Sequence, residues 1–254
     1  MAKKPVVYND ECASKDERQY THSNSLKLKI DNLKTISPLT DNQKKFFDAY
    51  KRGDYFIALL GSAGSGKSYI AMYKILEEIM DKGNPYSKLV IVRSAVPTRD
   101  QGFLPGTLSD KMEVYEEPYD MIAQSLFSRK DAYSRLKEQS YVEFISTSNL
   151  RGCTFDNAIV MFDEIQNANY AEISTVITRI GNNSKLIMCG DFKQNDLIYK
   201  KNDTSGFIKF IQIAKTMDEF TEIVFNIDDI VRSDLVKSWI IAEEVYESNG
   251  KNNS

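Results

Sequence analysis

Little in this sequence points to a covalent or metal framework. Only three cysteines occur, Cys12, Cys153 and Cys189, an odd number without a Cys-x-x-Cys pair, so neither a disulfide scaffold nor a structural zinc site is expected. No run of eighteen apolar residues is present, and the opening Met1-Ala-Lys-Lys-Pro5 leads into polar residues rather than an apolar leader segment. No membrane partner is therefore expected, and the expected location is cytoplasmic. An excess of charge of one sign is missing too. The 33 basic and 36 acidic side chains give a net charge of -3, which removes bulk electrostatic attraction to nucleic acid but leaves room for a local basic groove.

What is present is an alternation of short apolar runs with amphipathic segments. Residues 1–25 are polar and aperiodic, an arm-like or flexible N-terminal segment; 26–248 are expected to form a single domain, and 249–254 a frayed tail. A helix is expected over about 41–52, with Phe46, Phe47 and Tyr50 on one face. A strand over 55–60 and a helix carrying Ile70, Tyr73, Leu76 and Met80 follow. Further strands are expected at 88–93, 141–145, 158–162, 185–189 and 222–225. Helical stretches are expected at about 111–139, at 170–180 closed by Gly181, at 206–216, and after Ser233. Continuously apolar strands separated by helices describe an α/β domain with a mainly parallel sheet covered on both faces.

Between the first strand and its helix lies Gly61-Ser62-Ala63-Gly64-Ser65-Gly66-Lys67-Ser68, a complete phosphate-binding loop. Its glycines allow backbone N–H groups to converge on an anion at a helix N-terminus, Lys67 can reach the β- and γ-phosphates, and the Ser68 hydroxyl can ligate Mg²⁺. ATP and Mg²⁺ are the expected ligands. The strand ending in Asp163-Glu164 supplies a carboxylate for the Mg²⁺ shell, Asp163, and a second, Glu164, to orient and deprotonate the attacking water. Small-molecule kinases usually lack that second carboxylate, which favours hydrolysis over transfer. Gln194, after the strand at 185–189, can sense the γ-phosphate. Gln43 admits two readings: an adenine-reading amide, or part of a helix capping box with Thr40.

Together these residues resemble the PhoH family, P-loop proteins related to superfamily 1 helicases. The resemblance spans about 36–245 and rests on Leu39-Thr40-Asp41-Asn42-Gln43, the P-loop, Arg93 through Gly106 with its Gly102-Phe-Leu-Pro-Gly106 element, Leu150 through Ala158, Asp163-Glu164-Ile165-Gln166-Asn167, Thr178-Arg179-Ile180-Gly181 and Gly190-Asp191-x-x-Gln194. It implies a RecA-like core that hydrolyses ATP, works on RNA or single-stranded DNA, and forms a ring, often hexameric. Ile165 stands where the family commonly has alanine, and no acidic quartet for an attached nuclease is seen. A superfamily 1 helicase completes its site with an arginine from a second lobe, for which this chain is too short, so a neighbouring subunit is the expected source. The candidates are Arg179, Arg232 and Arg151, each of which also has an ordinary surface or ion-pairing role open to it. Nucleic-acid contacts are expected from Arg93, Arg99, Phe103, Thr147 and Arg151, or else these residues serve structural and subunit-interface roles. A nucleotide-dependent assembly or switch ATPase acting on a protein partner is the alternative function.

Overall fold

The computed structural model describes residues 27–81, 83–94, 108–150, 152–191 and 205–251. In chain order these form α1 (Asp41–Arg52), β1 (Phe56–Gly61), α2 (Lys67–Met80), β2 (Lys88–Arg93), α3 (Leu108–Phe127), α4 (Ala132–Glu138), β3 (Val142–Ser146), β4 (Ala158–Asp163), α5 (Tyr170–Ile177), β5 (Lys185–Gly190), α6 (Ser205–Ala214), β6 (Phe220–Phe225) and α7 (Asp234–Lys251). The six strands make one sheet in the order β3-β2-β4-β5-β1-β6, and every neighbouring pair is parallel. This is the RecA-like arrangement the resemblance implies, with β5 inserted between the P-loop strand β1 and the acidic strand β4.

Because side chains alternate across a strand, each strand feeds two cores. Ile57, Leu59, Leu89, Ile91, Ile159, Met161, Ile187 and Cys189 pack against α1 to α4. Phe56, Ala58, Leu60, Val90, Val92, Val160, Phe162, Leu186 and Met188 pack against α5 and α6. Apolar residues are therefore required at consecutive positions, which is why these strands read as unbroken apolar runs.

Two expected helices differ from the structure. The stretch at 111–139 is two helices, because Ser128 adopts φ 52° and the chain turns before α4 starts at Ala132. The helix expected to run to Ile180 stops at Ile177, since residues 179–181 leave it to pair with the chain before β4: Phe155 N–H donates to Arg179 O and Gly181 N–H to Phe155 O. Gly181 is thus no helix cap. A side chain there would meet the Asp156 carboxylate, its Cβ lying 2.2 Å from Oδ1.

Candidate nucleotide site

The strand alternation also builds the site. One step beyond Ile91, Met161 and Cys189 on the α2-facing side come Arg93, Asp163 and Asp191, so three strands deliver charged residues to one corner at the carboxyl end of the sheet. There they surround a cleft of about 460 Å³ lined by the P-loop, Arg93, Tyr119, Asp163, Glu164, Asp191 and Arg232.

The loop is closed on itself. Ser65 Oγ donates to Ser62 O at 2.9 Å, and Lys67 Nζ reaches Gly61 O and Ser62 O, both at 2.8 Å. Burial pulls the Lys67 pKa below its ordinary value, opposed chiefly by the Asp191 charge. Gly64 and Gly66 have φ 74° and 78°, and α2 starts at Lys67 with no side-chain cap on its first turn. Uncapped N–H groups at a helix N-terminus suit a phosphate group. Gly61 is needed for a different reason: its φ is 120°, and an added Cβ would lie 1.9 Å from Phe225 O on β6. It permits the join between two strands rather than the approach of an anion.

Ser68 Oγ donates to Asp163 Oδ1 at 2.8 Å, which joins the P-loop helix to the acidic strand across 95 residues of sequence. A hydroxyl beside a carboxylate is a hard-oxygen donor set that fits Mg²⁺. The other Asp163 oxygen accepts from Tyr119 OH at 2.9 Å. Burial, then the Asp163 charge, drives the Tyr119 pKa far up, so this phenol acts as a donor.

Glu164 follows Asp163 directly and by alternation belongs on the opposite face. A left-handed backbone, φ 54° and ψ 43°, turns it back to line the cleft. Burial, and then the Asp163 charge, push its carboxyl pKa up, while Arg93, Gln166 and Lys67 oppose. A raised carboxyl pKa is what a general base needs. Gln166, almost wholly buried, donates through Nε2 to Glu164 Oε2 and accepts from Asp191 N–H at Oε1, 2.9 Å. One amide therefore links the carboxylate to the end of β5. Ile165 is buried in the core shared with α5 and packs against Gly190, where a Cβ would lie 2.6 Å from Ile165 Cγ1.

Other expected residues fall in several places. Gln43 is buried behind the loop, where Nε2 donates to Ser65 O at 3.0 Å and Oε1 accepts from Leu39 N–H at 2.8 Å. Thr40 caps α1 through the Gln43 N–H, while the glutamine side chain caps Leu39 rather than Thr40. Arg232 lies in the cleft of its own chain, its stem against Gly64, and the neighbouring Val231 N–H donates to Gly64 O. Arg179 is at the amino end of the sheet, beside Phe155 and away from the cleft, with its Nε buried and unpaired among the described residues. Thr147, for which nucleic-acid contact or a structural role was expected, is buried and donates to Glu172, the structural alternative. Glu172 also accepts from Ser94 Oγ at 3.1 Å and so ties the ends of β2 and β3 to the start of α5. Arg93, given the same two expectations, lines the cleft. Gln194, Arg99, Phe103, Arg151 and the 102–106 element lie outside the described residues.

Sequence reasoning missed Tyr119 and the role of Gln166. Nothing local marks a tyrosine 44 residues before its carboxylate, whereas Gln166 sits inside the acidic motif and could have been singled out there.

A further clasp ties the start of α1 to the segment that brings Val231 and Arg232 to the loop. Asn42 Nδ2 donates to Asp229 Oδ2 at 2.7 Å, and Asn226 N–H donates to the same oxygen. Burial works against the Asp229 charge, but hydrogen bonds led by Thr40 and Asn42 outweigh it, and the pKa falls below the ordinary 3.8. A depressed carboxyl pKa stabilises the fold above the unfolded value, and that contribution is lost as pH drops through the folded one. Asp229→Asn is expected to cost about 1–3 kcal/mol at neutral pH. Its melting temperature should converge on that of the parent as the pH falls below 3.8. An offset independent of pH would assign the loss to packing.

The parallel sheet, the loop at the end of β1 and the paired carboxylates at the end of β4 define a P-loop ATPase. Residues 35–244 match the sequence profile of the PhoH-like protein family, and the chain belongs to that family. It is 33% identical over 246 residues to the PhoH-like protein of Bacillus subtilis, covering 95% of this chain and 75% of that protein. With the PhoH-like protein of Mycobacterium tuberculosis (strain H37Rv) it shares 32% identity over 85% of this chain, and it spans only 60% of that relative's length. Among solved structures, the large terminase of a thermophilic bacteriophage overlaps 80% of this chain and 49% of its own, at 12% identity and a TM-score of 0.46. That likeness is too loose to bear on function. No helix among the described residues is long and apolar enough to cross a membrane.

Proposed function

We propose that this chain hydrolyses ATP with Mg²⁺ and couples the cycle to RNA or single-stranded DNA as a ring-forming, helicase-like motor. The observation that carries the hydrolytic part is the Ser68–Asp163 hydrogen bond, which sets a metal-binding pair beside a Glu164 carboxylate of raised pKa. Residues 61–68 hold the phosphates, with Lys67 exchanging loop carbonyls for phosphate oxygens. Ser68 and Asp163 hold Mg²⁺, which supplies charge neutralisation on the phosphate chain. Glu164 orients water and takes its proton, and Gln194 reads the γ-phosphate. Gln43 supports the loop from behind through Ser65; adenine recognition would draw on its second amide hydrogen and second carbonyl lone pair.

Arg179 is proposed to act on a neighbouring subunit's site, a role compatible with its distance from its own cleft. Arg232, over its own Gly64, is proposed to act within its own chain. The exposed Leu235, Trp239 and Tyr246 of α7 favour contact with another protein surface. In the motor reading that surface is a second copy; in the assembly or switch reading it is a different partner.

ATPase rates with and without RNA or single-stranded DNA, alongside solution mass, separate the two. Stimulation by a single strand together with an oligomeric mass is expected. A monomer indifferent to every strand would end the motor reading. Lys67→Ala should abolish tight ATP binding, and undiminished binding would move the nucleotide elsewhere. Mixing Arg179→Ala with Glu164→Gln subunits should restore part of the activity if Arg179 works across the interface; no rescue at any ratio would remove it from that role.

A further inference from the structure

Besides Lys67, two cations among the described residues line the cleft, Arg93 and Arg232, and they are held very differently. Arg232 is exposed on the segment that leads into α7. Arg93 is the last residue of β2, paired in register with Asp163, and neighbouring strands lie only about 4.8 Å apart. Its side chain thus starts beside the Ser68–Asp163 pair and shares its sheet face. It is also well supported. The guanidinium carbon lies 5.7 Å from the centre of the Tyr115 ring, and the next residue, Ser94, is fastened to Glu172. A stacked guanidinium on a fixed strand end keeps its orientation, whereas one on a loose loop would lose ordering entropy on each encounter with ligand.

A planar cation pre-aimed into a cleft whose other walls are a phosphate loop and a metal-binding pair suits the oxygens of a terminal phosphate. We propose that Arg93 is a phosphate-contacting residue of this site, engaging the terminal phosphate of ATP from within the same chain. The inference rests on the ATP-hydrolysis reading and adds to it, beside Arg232, a second same-subunit arginine that is held by the sheet. Charge building up on the transferred group is then met from two sides, by Lys67 from the loop and by Arg93 from β2. Because only ATP offers the contact, Arg93 also discriminates ATP from ADP.

The test compares the full-length chain with Arg93→Ala, Arg93→Gln and Arg93→Lys, measuring single-turnover hydrolysis and the affinities for ADP and for a non-hydrolysable ATP analogue. Arg93→Ala and Arg93→Gln should lower turnover by about 10²- to 10³-fold. They should weaken the analogue while leaving ADP affinity unchanged, and Arg93→Lys should recover part of both losses. Arg93→Gln keeps a stem against Tyr115, so it reports even if Arg93→Ala fails to fold. Near-normal turnover in Arg93→Gln, or equal weakening of ADP and analogue, would overturn the proposal. Failure of the underlying reading looks different: Lys67→Ala would then leave both affinities intact. The affinity ratio tests Arg93 even where turnover is too slow to follow.

Discussion

Glu164→Gln should bind ATP as the parent does and turn it over about 10²- to 10⁴-fold more slowly, the range attached to loss of a positioned general base. The substitution preserves shape and keeps an oxygen to accept from Gln166 Nε2, but it cannot take a proton. Glutamine meets the same left-handed backbone strain as glutamate at φ 54°, so stability should stay within about 0.5 kcal/mol of the parent. Removing a carboxylate beside Asp163 also relieves a like-charge contact, which leaves nucleotide affinity equal or higher. Phosphate release in a single turnover, measured with a fluorescent-nucleotide titration, gives both quantities. Robust hydrolysis by this variant would remove Glu164 from the role of base.

The largest effect on folding is expected from Gly61→Ala. The position is strained for any L-residue at φ 120°, and the added methyl would sit 1.9 Å from a backbone oxygen that cannot rotate away. Relief requires Phe225 to move, which opens the register of β6 on β1 and the Ser62 N–H bond to Phe225 O. A loss of more than about 4 kcal/mol is expected, enough to leave much of the chain unfolded. Gly64→Ala is the milder control: at φ 74° it carries left-handed strain of about 1–2 kcal/mol, but its new methyl meets the Arg232 stem at 3.0 Å and that flexible side chain can yield. Urea unfolding of the two variants should rank them clearly. Equal and mild losses would mean that β6 is not held as tightly as its register implies.

The sheet was legible because each strand must satisfy two apolar faces, leaving runs such as Ile159-Val160-Met161-Phe162 with no polar interruption. The phosphate loop and Asp163 were legible because their chemistry is local. Glu164 could be named but not aimed, since alternation sends it to the wrong face and only the left-handed turn returns it. Tyr119 and the Gln166 bridge to Asp191 were hidden because each joins segments far apart in the chain. Arg93 and Thr147 were left between two roles for a related reason. Polar residues at strand ends look alike in sequence, yet the first enters the cleft and the second is sealed against Glu172. Gln43 remained ambiguous because a capping role and a ligand role call for the same side chain, and only the nearby Ser65 carbonyl shows where its amide is engaged.

The Asn42–Asp229 clasp carries a consequence for the order of events at the ribosome. It spans 187 residues, and the same late segment supplies Val231 to Gly64 and Arg232 to the cleft. A growing chain exposes residues 61–68 early, but their outer wall does not exist until residues 229–232 have emerged. The cleft therefore takes its final shape only when the two ends of the domain meet, whatever the loop does before then.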